Sequence, residues 1–368
     1  MNFRPWVVAV FVLVIFLVVP IVQASPDFEI TGTISLLNYG GFYGAVYDSK
    51  TDQVFISNVD FNLVSIVSAS NLTEVKEVPV GSQPISVAYD SGKGEIYVAN
   101  FASKSVSVIS DSTATADANV SVGNSPTALA YDSGKGEIFV VNRDDNTVSV
   151  VSDSTNTVVA TIPVGKTPYG VAYDASKGEV FVTNYGDNSV SVISDISNTV
   201  VATVQVEVSP YHAVYDSGME EIFVTNQNSS SVSVISDTTN AVVTNIAVGK
   251  TPVDLTFDFK NGLVFVGNYG DNSISVISDN NNSVIANISS QQQPFALAYD
   301  SIQGQVFVPH MESWSVSVIS DSPLPSASRT PSIFEFSNEV LAFALLACLA
   351  SASLLLMRKT KSSSNNAF

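Results

Sequence analysis

Two histidines, His212 and His310, and one cysteine, Cys348, are all that 368 residues offer for imidazole or thiolate chemistry. Cys348 lies inside an apolar run, so no thiolate metal site, disulfide framework or c-type haem attachment is expected. No G-x-S-x-G, H-E-x-x-H, P-loop or dinucleotide fingerprint occurs. A metal-centred site drawn from residue types alone would have to use His212, His310, Asp254 and Glu312. Neither Gly-Asp-Asn stretch (186–188, 270–272) matches the twelve-residue calcium loop, so both are expected to be turns. No cofactor and no catalytic residue is therefore assigned. Carboxylates are plentiful: 34 acidic against 15 basic residues gives a net charge of −19. Such a surface repels nucleic acid, which needs basic patches. It suits solubility, cations or a salty medium.

Most of those carboxylates are periodic. An aspartate ends an apolar run at Asp48, Asp90, Asp132, Asp174, Asp216, Asp258 and Asp300, always 42 residues apart. A residue required in every copy is expected to form a turn rather than do chemistry. A fixed period near 40–45 residues with several short strands per unit indicates a β-propeller blade. Seven copies imply an all-β, seven-bladed propeller of four-stranded blades.

Each unit contains four β-type runs, here GVAYD, EVFVTN, SVSVIS and TVVATVQV from Gly170 onward. They are dense in Val, Ile, Phe and Tyr, which suit a pleated, half-buried surface. None shows a 3.6-residue period. The first hairpin turns through DSGKGE (90–95, 132–137). In the third run Ser105 and Ser107 alternate with Val106 and Val108, so the serines are expected to let neighbouring sheets approach. The asparagine ending the second run (Asn58, Asn100, Asn142, Asn184, Asn226, Asn268) is expected to bond its own loop backbone.

EIYVAN (95–100), EIFVVN (137–142), EVFVTN (179–184) and EIFVTN (221–226), with VGKTP, SVSVIS and NTVVATI around them, resemble YVTN-type β-propeller repeats. The resemblance spans about Phe28–Asp321. It implies a scaffold common on archaeal and bacterial cell surfaces, surface-layer proteins included, and carries over no catalytic residue. Propellers resembling this family include metal-dependent lyases of cyclic peptide lactones and quinoprotein-like redox modules, which stand as alternatives to a binding, adhesion or coat-forming role.

Arg4 and the apolar run Trp6–Val22 read as a signal peptide (1–24) with Val22-Gln23-Ala24 as the cleavage site. The stretch FEITGTISLL (28–37) aligns with the fourth run of a blade, while the last unit stops after SVSVIS at 315–320. The N-terminal strand is therefore expected to complete the seventh blade of the ring (28–321) and remove an exposed edge. A Pro/Ser-rich linker (322–338) leads to an apolar stretch (340–357) just long enough to span a bilayer. Arg358, Lys359 and Lys361 in the tail (358–368) mark its cytoplasmic side. Together these predict a single-pass membrane protein with the ring outside, binding a surface protein or glycan. Sequons at Asn71, Asn119, Asn228, Asn281 and Asn287 are glycosylation candidates.

Between copies, variation concentrates in the loop after the second strand and the residues before and after the repeat proline. These two loops should share one face, at the mouth of the channel, and variety confined there is where function can reside. The candidate ligand-binding residues are Arg143, Tyr169, Tyr211, His212, Asp254, Phe295, His310 and Trp314. His212 and Asp254, one repeat apart, should be neighbours on adjacent inner strands.

Overall fold

A computed structural model describes residues 28–37, 40–290, 292–311 and 315–321. The signal segment, linker, apolar span, basic tail and Trp314 fall outside these residues. Among those described there is no helix, and none long and apolar enough to cross a membrane. All strands belong to seven four-stranded antiparallel sheets, each built from consecutive strands except the last. Blade 4 is representative: inner strand Pro168–Asp174, then Glu179–Asn184, Ser189–Ser194 and outer strand Thr199–Gln205.

The burial pattern explains why these runs become these strands. The second and third strands are buried on both faces, because each is sandwiched between neighbouring blades. The outer strand alternates and exposes valines such as Val159 and Val201. One aromatic ring at the centre of every second strand (Phe55, Tyr97, Phe139, Phe181, Phe223, Phe265, Phe307) is fully buried. Each such ring contributes roughly 1.5–3 kcal/mol by leaving water. At the junction of blades 4 and 5, Phe181, Val190 and Val192 pack on Ala213, Ile222, Val224 and Ile235.

Ring closure follows the sequence expectation. Ile30–Ser35 pairs antiparallel with Ser315–Ser320, so the chain's first described strand is the outer strand of blade 7. Ile34 and Leu36 enter the blade 7/1 core, and Phe28 meets Phe265 edge-on at 5.9 Å.

The turn aspartates also behave as expected. All seven are fully buried, and in each one carboxylate oxygen accepts two backbone N–H groups; Asp90 takes those of Gly92 (2.8 Å) and Lys93 (3.1 Å).

The asparagines require a correction. Among the described residues only Asn58 bonds its own loop through its side chain, accepting from Phe61 N at 3.2 Å. In the next five blades the carboxamide donates to two hydroxyls of the third strand, as Asn184 does to Ser189 (3.0 Å) and Ser191 (2.9 Å). The alternating serines are thus acceptors for a buried amide as well as small spacers. Gly165 is required beside Asn184, because a Cβ there would collide with the carboxamide.

Candidate functional site

The inner strands run from the repeat proline to the turn aspartate, so the channel has a proline end and a hairpin end. The two variable loops do meet at the proline end: Tyr185 N donates to Thr167 O, and Arg143 N to Ser125 O, both at 3.1 Å. The residues after the proline form a ring around the channel, namely Tyr43, Ile85, Thr127, Tyr169, Tyr211, Val253 and Phe295. They enclose a cavity of about 120 Å³. That is room for about four waters, or one six-membered ring.

A hydroxyl on the second strand marks the blades whose channel-lining residue is tyrosine. In blades 1, 4 and 5 the penultimate residue of that strand carries a hydroxyl: Ser57, Thr183, Thr225. Each hydroxyl accepts the N–H of an inner-strand residue, Gly44 (2.9 Å), Gly170 (2.8 Å) or His212 (2.9 Å). The hydroxyl thus stands in for a backbone partner within a bulge after the proline that blades 2, 3 and 6 also have without it. Such bulges re-aim side chains next to functional sites. Blades 1, 4 and 5 are the three in which a tyrosine follows. Thr183 also donates to Tyr211 O (2.8 Å), fixing one bulge to the next.

The next position inward is Gly44, Ser86, Ala128, Gly170 or Ala296 in five blades, and His212 and Asp254 in the other two. The small residues are needed for close approach: a Cβ on Gly170 would lie 2.5 Å from Tyr211 O. The two exceptions meet. His212 Nδ1 lies 2.7 Å from Asp254 Oδ1, and Asp254 Oδ2 accepts Leu297 N at 2.7 Å. The contact is close but poorly aligned for a hydrogen bond, so it is chiefly an attraction of charges. Burial opposes charge on the imidazole, but the Asp254 carboxylate outweighs it and holds His212 above its ordinary value. His212 Nε2 is left without a protein partner among the described residues, and the side chain lines the cavity.

Beside this pair the Tyr169 and Tyr211 rings stack at 4.0 Å, and Tyr211 donates its hydroxyl proton to Tyr169 at 2.6 Å. Burial raises both phenols, so both stay protonated and Tyr169 keeps a proton to donate. Arg143 places its charge near Tyr169. Across the mouth, Phe295 meets Tyr43 at 4.4 Å and Tyr269 at 5.8 Å. The cavity therefore has a donor-bearing side on blades 4 to 6 and an apolar aromatic side on blades 7 and 1.

The structure thus brings together Tyr169, Tyr211, His212, Asp254 and Phe295, with Arg143 at the margin. His310 does not join them. It stands one repeat after Asn268, in the asparagine position of blade 7, and is fully buried. Its Nδ1 meets Gln292 O at 2.8 Å and so carries the proton, while Nε2 accepts from Ser317 at 2.8 Å. Burial lowers its pKa, in keeping with a neutral ring. His310 is a substitute for the structural amide, and a shared ion bound by both histidines finds no support. Residues that the sequence reading missed are Tyr43, Ser57, Thr183 and Thr225. Tyr43 was hidden because Phe42 replaces the proline; counting one repeat back from Ile85 finds it.

No curated protein matches the chain. Among solved structures it resembles hydrazine synthase of Kuenenia stuttgartiensis, with 18% identity and a TM-score of 0.69, over 79% of this chain and 98% of that one. At that identity the likeness is one of fold. The family model of the YNCE-like beta-propellers matches residues 120–312, just over half of the sequence, and the chain belongs to that family.

Proposed function

We propose that this propeller is a binding module that takes a ring-sized, neutral group bearing oxygen acceptors at the proline end of its channel. A terminal sugar of a surface glycan is the natural case. The observation that carries this reading is the His212–Asp254 pair beside the stacked tyrosines, at positions where the other blades carry only Gly, Ser or Ala. His212 Nε2–H and the Tyr169 hydroxyl supply donors, and Phe295 with Tyr43 supplies an apolar wall. A cationic ligand is disfavoured because His212 already neutralises Asp254 and Arg143 stands nearby.

The signal segment, linker and apolar span support placing the ring outside the cell on a single-pass anchor. All five sequon asparagines are exposed, as glycan carriers would be. The full-length chain is expected to fractionate with membranes and to release the ring when cut within 323–338. Calorimetry of the ring with a panel of mono- and oligosaccharides tests the site. Tyr211→Ala combined with His212→Ala should abolish binding while lowering the melting temperature by no more than about a few degrees. Equal binding by that variant, or loss only through unfolding, sends the site elsewhere.

A further inference from the structure

The hairpin end of the ring is held by a repeated arrangement of lysines and tyrosines, and at one junction both are missing. Lysines of four turns cross to an aspartate of the next blade: Lys50 to Asp111 (3.1 Å), Lys93 to Asp153 (3.1 Å), Lys135 to Asp195 (3.4 Å) and Lys177 to Asp237 (2.9 Å). A tyrosine of the inner strand sits between that aspartate and the turn aspartate of the blade before. Tyr173 serves Asp132 and Asp195, and Tyr215 serves Asp174 and Asp237. Between blades 5 and 6 both devices are missing, for Met219 holds the lysine position and Phe257 the tyrosine position.

Asp216, fully buried, and Asp279, 7% exposed, then lie within reach of each other's charge. Asp216 Oδ2 and Asp279 Oδ1 are shut from solvent with no hydrogen-bond partner. Burial pushes both carboxyls up, and the charge of Asp216 adds to the effect on Asp279. The glycine that follows the lysine in blades 2, 3 and 4 is here Glu220, in the left-handed region at φ 58°.

The surface around this gap is also changed. Met219, Phe259 and Ile302, in the same turn of blades 5, 6 and 7, are 46%, 59% and 58% exposed. Blades 1 to 4 present serine, lysine and glycine there, with Thr51 and Ala175 at one position each. Phe259 and Phe257 join Tyr131, Tyr173 and Tyr215 in lining a depression of about 470 Å³ at this mouth.

We propose that this face docks a segment of a partner protein. The segment inserts a lysine or arginine at Asp216 and Asp279 and lays apolar neighbours on Met219, Phe259 and Ile302. The complementary chemistry occurs four times in the ring itself, where its own lysines reach the equivalent aspartate. A net charge of −19 steers a basic partner toward the ring. A metal ion fits less well, because no group of three or more carboxylate, histidine or cysteine ligands occurs among the described residues. An anionic lipid surface would meet these carboxylates unfavourably.

The test titrates the protein at low salt with three labelled peptides of about twelve residues: alternating Lys/Leu, alternating Glu/Leu, and all-Lys. The Lys/Leu peptide should bind saturably and the Glu/Leu peptide should not. Met219→Lys, which fills the gap from within, should weaken Lys/Leu binding at least tenfold while keeping or raising the melting temperature. Phe259→Ser should weaken Lys/Leu binding comparably and leave the all-Lys peptide unchanged. Equal Lys/Leu binding by wild type and Met219→Lys, or no saturable binding, overturns the proposal. So does binding to anionic phospholipid vesicles that Phe259→Ser abolishes, which would assign the face to lipid.

Discussion

The two ends of the channel are built from the same inner strands, yet they are held by opposite means. At the hairpin end nearly every blade repeats one arrangement, a buried aspartate gripping its turn, a bridging tyrosine and, in four blades, a crossing lysine. At the proline end the backbone is fixed by bulges and by carboxamides hidden behind the loops, which frees the channel-lining side chains to differ. Blades then diverge where nothing structural depends on them, and Tyr211, His212 and Asp254 arise at that end. At the hairpin end both the lysine and the tyrosine are lost together at one junction, Met219 and Phe257, and there two buried carboxylates are left without either.

The largest effect should come from removing what both ends require, the closed ring. Deleting residues 28–37 exposes the edge of Ser315–Ser320 and strips Ile34 and Leu36 from the core. From those two side chains alone the loss is about 3–6 kcal/mol. Thermal denaturation should show a lower and broader transition; an unchanged melt would break the account of closure.

Next, the gap at blades 5 and 6 can be copied elsewhere. Lys177→Met should leave Asp237, whose side chain is fully shielded, without its ammonium. A cost of about 2 kcal/mol is expected, below the upper range for broken buried pairs because Lys177 is one-third exposed. Chemical denaturation at pH 7 measures it. A neutral result would mean that the lysines contribute nothing and that Met219 marks no gap. Conversely, Asp279→Asn should stabilise at neutral pH. A carboxyl whose native pKa is raised contributes stability only below its unfolded value, and that contribution is lost as pH rises through the native value. The advantage of asparagine should therefore shrink toward pH 4.

His310 sharpens the contrast between structural and channel-lining histidine. Replacement by alanine leaves Ser317 unpaired in the interior and should cost about 1–3 kcal/mol. His310→Asn restores the residue of the preceding six blades and should cost less than about 1 kcal/mol, with ligand binding unchanged in both. Loss of binding in His310→Asn, with stability intact, would return His310 to the site.

The smallest effect concerns His212. Its native pKa is raised above 6.5, so the pair with Asp254 stabilises fully below pH 6.5. That contribution disappears as pH rises through the native value. With 32% of the His212 side chain open to water, the effect should be at most about 1 kcal/mol. Comparing the pH dependence of melting for wild type and His212→Gln checks it, and a difference of opposite sign would show that burial outweighs Asp254.

Much of this was legible in the sequence because repetition is a strong signal. A 42-residue period carrying four apolar runs gave the blades, and the displaced fourth run at 28–37 gave the closure. His212 and Asp254 one repeat apart gave their meeting. A periodic chain maps sequence offset directly onto spatial adjacency, so these inferences needed no side-chain geometry. What repetition cannot express is which partner a buried polar group takes. Asn184 reaches forward to Ser189 and Ser191 rather than into its loop, and His310 replaces such an asparagine instead of facing the channel. Thr183 and Thr225 take the N–H of Gly170 and His212 in place of a backbone carbonyl, next to Tyr169 and Tyr211. Each of these outcomes was decided when neighbouring strands and blades closed off water. A buried hydroxyl, amide or imidazole then had to take whichever partner the packed sheets brought within reach.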